Sequence, residues 1–165
     1  MPTFLPNADP FDFSGNRVGC LLIHGFTGTP REVRELGERL AACGYTVRAP
    51  ALAGHATRVQ DLVETDWRAW FASVSDAYDQ LCETCDAIFV MGLSMGGSLA
   101  LHLAAHRAVT GVVAISAPID IRNSFVSLFR TFPFLIRLIP YIKKNRFNDD
   151  TQDPHVRPNH PEYDR

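Results

Sequence analysis

Ala87-Ile88-Phe89-Val90-Met91-Gly92-Leu93-Ser94-Met95-Gly96 decides the reading of this chain. Its first five residues are an uninterrupted apolar run, which suggests a strand covered on both faces, as in a parallel sheet. The run passes directly into G-x-S-x-G, and Leu99, Leu103 and Ala104 then recur at helical spacing. A serine is thereby set on a sharp strand-to-helix turn, with its hydroxyl lifted out at the end of the sheet. Gly92 and Gly96 are needed because side chains there would collide across the turn. The helix N-terminus behind Ser94 adds positive potential where an oxyanion would form. Three fixed positions alone are a weak signal; the strand before and the helix after make it specific.

Working outward, Val18–Ile23 and Gly111–Ile115 are two more apolar runs, and residues 45–49 form a fourth, less pure one. Helical patterns lie between them. Thr29-Pro30-Arg31-Glu32 reads as a capping box with proline at the first helical position, followed by Val33, Leu36, Leu40 and Ala41 on one face. Gly44 is a plausible stop. Residues 65–82 form the next helix, with Trp67, Trp70, Phe71, Val74, Tyr78 and Leu81 as its core-facing stripe. Strands alternating with helices argue for an α/β fold, a mostly parallel sheet with helices on both faces.

His24-Gly25-Phe26-Thr27-Gly28 follows the first apolar strand directly. With an elbow serine, this loop is the place for one oxyanion-hole N–H, assigned to Phe26; the other is the N–H of Met95, the residue after the nucleophile. His24 and Gly25 are read as support for that loop, His24 bracing it by hydrogen bonds rather than transferring protons.

Bulk properties narrow the function further. The chain has 165 residues, 46% apolar and 21% charged, with a formal net charge of -2. That balance gives no electrostatic reason to expect nucleic acid or an anionic membrane as partner. No apolar run is long enough to span a bilayer, and the first residues lack the pattern of a signal peptide, so a cytoplasmic location is the default. Cys82 and Cys85 form a C-x-x-C near a helix end, read as packing residues rather than a redox pair or zinc site. His102 and His106 share a helix face, but a zincin would need glutamate beside the first, where Leu103 stands. No metal and no cofactor is expected.

HGFTGTP at 24–30, AP-x-LAGH at 49–55 and GLSMGGSLAL at 92–101 resemble the bacterial carboxylesterase and monoacylglycerol lipase group of α/β-hydrolases, over roughly residues 13–120. The resemblance implies the α/β-hydrolase fold and a Ser-Asp-His triad. It also implies hydrolysis of short- to medium-chain carboxylic esters or monoacylglycerols through an acyl-enzyme. By position Ser94 matches the nucleophile, and Phe26 and Met95 match the oxyanion donors. His55 matches a loop histidine outside the triad, and Ala56 stands where relatives often have glycine. Relatives that are epoxide hydrolases or dehalogenases carry aspartate at the elbow, so Ser94 argues against those chemistries. An acyltransferase or thioesterase on the same machinery, or a non-catalytic binding protein that keeps the fold, are the alternatives.

The triad order is serine, acid, histidine along the chain, the latter two after later strands. Only one convincing strand follows Ser94. Asp149, Asp150, Asp153, His155, His160 and Asp164 have no strand before them to position them. The expectation is therefore an N-terminal part of the core over 1–118 and a lid segment with tail over 119–165. The acid and base would lie past Arg165, and the isolated chain would be nearly inactive with an unpaired edge at Gly111–Ile115. The alternative is that His155 or His160 serves as base. Residues 124–142, rich in Phe, Leu and Ile and broken by Pro133 and Pro140, are read as the lid.

Overall fold

A computed structural model describes residues 4–119, within the unit Met1–Asp120. The expected lid and tail, with His155 and His160, lie outside the described residues. Among the described residues five strands form one sheet: β1 (Phe11–Phe13), β2 (Val18–Ile23), β3 (Thr46–Ala49), β4 (Ala87–Leu93) and β5 (Gly111–Ile115), in the order β1-β3-β2-β4-β5. All pairs are parallel except β1 with β3. Four α-helices connect them: α1 (Arg34–Ala42), α2 (Val59–Val63), α3 (Trp67–Cys82) and α4 (Met95–His106).

Side chains alternate across a strand, so β2 sorts its residues between two layers. Leu21 and Ile23 pack with Val74, Ala77, Tyr78 and Leu81 of α3 and Leu99, Ala100 and Leu103 of α4. Cys20 and Leu22 pack with Phe11, Val33 and Val47, against which Leu36 and Leu40 of α1 lie. Helices thus cover both faces of the parallel strands, which explains why β2 and β4 read as apolar runs.

Four local readings need correction. Residues 30–33 form a 3-10 turn (Pro30–Val33) before α1, and Thr29 makes no side-chain cap bond. The Glu32 side chain turns instead to the Gly25 N–H, so the capping box does not form. The helix expected from 65 begins at Trp67, because Asp66 accepts from the Arg68 and Ala69 N–H groups and caps it. Trp67 is half-exposed, outside the core stripe, and lies edge-on against the His102 ring. The antiparallel β1 and the short α2 were not foreseen. Phe11 of β1 fills the close approach over Gly37, where a Cβ would lie 2.6 Å from its ring.

Among the described residues β5 is an edge strand, with Val113 and Ile115 exposed. Cys82 is exposed and Cys85 buried, and both are free. No helix among the described residues is long and apolar enough to cross a membrane. None of the described residues form a group of three or more His, Cys, Asp or Glu able to hold a metal ion.

Candidate functional site

Ser94 stands between the last residue of β4 and the first of α4, with φ 52° and ψ −120°. This is left-handed backbone that a side chain adopts at a cost of about 1–3 kcal/mol, and such strain clusters at functional sites. Two glycines make the turn possible. A Cβ on Gly92 would lie 2.1 Å from the Gly96 oxygen, and one on Gly96 would lie 2.3 Å from the Ile23 oxygen. The Ser94 N–H donates to the Ile115 oxygen at 2.8 Å, tying the turn to the end of β5, and the side chain is exposed. Met95 opens α4, so its N–H is among the first helix donors, which have no intrahelical acceptor.

The loop after β2 lies against this turn. Gly25 is buried, and a Cβ on it would come 3.6 Å from both the Leu93 oxygen and Ser94 Cβ. Phe26 follows, 55% exposed as a residue, Thr27 is left-handed at φ 59°, and the Gly28 N–H closes the turn on the Gly25 oxygen at 3.1 Å. The residues singled out in the sequence, 24–26 and 92–96, are therefore brought together at the carboxyl ends of two neighbouring parallel strands.

His24 is fully buried. Its Nδ1 donates to the Gly25 oxygen at 2.9 Å, and its Nε2 accepts from the Leu52 N–H at 3.2 Å. Both nitrogens are occupied, and burial pulls its pKa down to about 4. It is a neutral strut between two loops. His55, also buried, donates from Nδ1 to the Ala53 oxygen at 3.1 Å, and burial lowers its pKa as well. Its Nε2 has no hydrogen-bond partner among the described residues. Phe26 and Trp70 pack edge-on against its ring, with centroids at 6.0 and 5.3 Å. These rings make an aromatic wall beside the loop. Ala56, next to His55, is left-handed at φ 61°.

After Ser94 the described residues contain no Asp or Glu. The two histidines there, His102 and His106, sit on α4, where His106 Nδ1 donates to the His102 oxygen at 2.8 Å. Sequence reasoning missed two contributors. Trp70 reads as core by its helical spacing, yet its Nε1 donates to Thr65 Oγ1 at 2.9 Å. Glu32 reads as a helix cap by its spacing from Thr29, although it is equally within reach of the loop that ends at Gly28, one residue before the cap position.

A model of the alpha/beta hydrolase family matches residues 20–164. A thermostable monoacylglycerol lipase of Bacillus sp. (strain H-257) is 48% identical over 118 residues, which are 71% of this chain and 47% of that protein. A carboxylesterase of Bacillus subtilis (strain 168) is 39% identical over 118 residues, 71% of this chain and 48% of that one. Among solved structures, one described with the metagenome-derived lipolytic enzymes LipS and LipT superposes with a TM-score of 0.74 at 36% identity. It covers 77% of this chain and 53% of that one. The chain spans about half the length of the curated relatives it matches.

Proposed function

The chain belongs to the alpha/beta hydrolase family, and from that premise we propose that Ser94 is the nucleophile of a carboxylic-ester hydrolase. The observation that carries the reading is the backbone of Ser94, an exposed serine held at φ 52° on a turn that only Gly92 and Gly96 permit.

Ser94 Oγ attacks the ester carbonyl carbon while its proton passes to a general base. The carbonyl oxygen becomes an oxyanion, received by the N–H groups of Met95 and Phe26. Removing one such donor costs about 3–4 kcal/mol of barrier in enzymes of this type. Collapse of the intermediate expels the alcohol, which takes the proton, and leaves an acyl group on Ser94. Water, deprotonated by the same base, attacks the acyl carbon; the acid product leaves and Ser94 Oγ recovers its proton.

His24 is excluded as base because both nitrogens are engaged and its pKa lies near 4. The triad acid and histidine are assigned to residues outside 4–119. The relatives named monoacylglycerol lipase and carboxylesterase support carboxylic esters or monoacylglycerols as substrates. The aromatic wall of Phe26 and Trp70 suits the apolar part of such an ester.

The test is hydrolysis of p-nitrophenyl butyrate by the protein expressed from its complete reading frame. The Ser94→Ala variant should lose at least about a thousandfold in kcat. Hydrolysis at the wild-type rate by that variant sinks the assignment.

A further inference from the structure

The loop that faces Ser94 is held from inside its curve by a carboxylate. The Gly25 N–H donates to Glu32 Oε2 at 3.0 Å. At the other end of the curve Gly28 leaves room for the same group: a Cβ there would lie 2.2 Å from Oε2 and 2.4 Å from Cδ. Phe26 and Thr27 span the interval, and the Gly28 N–H to Gly25 oxygen bond of 3.1 Å closes it. Thr27 is left-handed at φ 59°, a conformation that persists only where the surroundings fix it. Gly25 in turn abuts Ser94 Cβ.

We propose that Glu32 is a positioning residue for hydrolysis at Ser94: its carboxylate fixes loop 24–28 so that the Phe26 N–H meets the oxyanion. The inference rests on the reading of Ser94 and Phe26 given above. The physical reason is that an oxyanion donor works only when it is aimed before the charge develops. An N–H to carboxylate bond is charge-assisted and about twice as strong as a neutral one. Anchored at Gly25 and filled at Gly28, the loop has few other conformations for Phe26. Glu32 does not touch the ester; it acts through the direction of one backbone N–H.

Four variants of the protein expressed from its complete reading frame test this with p-nitrophenyl butyrate, alongside Ser94→Ala and thermal midpoints. Glu32→Ala should lower kcat about tenfold or more with KM nearly unchanged, a fraction of the ~100–1,000-fold for losing a donor outright. Glu32→Gln keeps an acceptor oxygen for the Gly25 N–H and should recover most of that loss. Gly28→Ala should imitate Glu32→Ala, because its methyl displaces the flexible end of Glu32 with little effect on the fold. With Glu32→Ala already in place, the methyl meets no carboxylate, so the double variant should be no worse than Glu32→Ala alone. A wild-type kcat in Glu32→Ala, or losses that multiply in the double variant, overturns the inference. Should Glu32→Ala fail to fold, Gly28→Ala carries the test: an unchanged kcat there is equally fatal. Full activity in Ser94→Ala overturns the Ser94 reading; activity lost in Ser94→Ala but kept in Glu32→Ala overturns this inference only.

Discussion

Replacing Ser94 by glycine should make the protein more stable while abolishing its proposed chemistry. The serine backbone sits at φ 52°, ψ −120°, and a residue with a Cβ held in such a region costs about 1–3 kcal/mol. Glycine removes that cost but adds chain entropy to the unfolded state, about 0.4–1 kcal/mol. The balance is a gain of about 1 kcal/mol, equivalent to a rise of about 3 °C in Tm for a chain of this size. Ser94→Ala keeps the Cβ, hence the strain, and as an exposed position should change stability by less than about 0.5 kcal/mol. The two variants are compared by urea unfolding followed by far-UV circular dichroism. The difference between them isolates the backbone from the hydroxyl. If Ser94→Gly proves less stable than Ser94→Ala, the turn is not strained and the argument from backbone geometry to a built nucleophile fails.

Two further outcomes follow from the same loops. Ala56 is buried but left-handed at φ 61°, so Ala56→Gly trades a lost methyl against relieved strain and should cost under about 0.5 kcal/mol. Ala100→Gly, equally buried but mid-helix on α4, should cost about 2 kcal/mol; similar losses at both sites in urea unfolding would contradict the strain at Ala56. His24 has its pKa lowered from 6.5 to about 4 in the folded chain. Below pH 6.5 the unfolded state therefore binds more protons, and stability falls as pH drops from 6.5 towards 4, by roughly 3 kcal/mol at the limit. His55, lowered in the same direction by burial, adds to the slope. Urea midpoints between pH 4.5 and 7 should decline steeply in wild type and less steeply in His24→Asn; equal slopes would show that His24 is not held neutral.

The legible parts of the fold were those whose physical cause is local and repeated. The apolar runs of β2 and β4 are continuous because helices cover both faces; β5 reads as apolar too, although it packs on α4 and leaves Val113 and Ile115 exposed among the described residues. The turn at Ser94 is visible because two glycines and a serine sit between a strand and a helix. The three residues of β1 alternate Phe-Asp-Phe and pair antiparallel at an edge, too short a pattern to separate from loop. Glu32 illustrates a different difficulty. At three residues from Thr29 and seven from Gly25 it can satisfy either backbone N–H, and only the packed loop decides for Gly25. Trp67 fits the helical stripe by spacing, yet it lies at the first position of α3, where the helix has passed the edge of the core and His102 is its neighbour. The left-handed Ala56 had one trace in the sequence, a resemblance to chains that often carry glycine there.

The central claim, that Ser94 carries the acyl group, is tested most directly by trapping it. The protein expressed from its complete reading frame is mixed with p-nitrophenyl butyrate, quenched in acid within milliseconds, digested, and examined by mass spectrometry. A butyryl group on the peptide containing Ser94, absent from Ser94→Ala, is the result this account predicts. Hydrolysis with no acyl group on Ser94, or with one on another residue that turns over at the rate of product release, would contradict it.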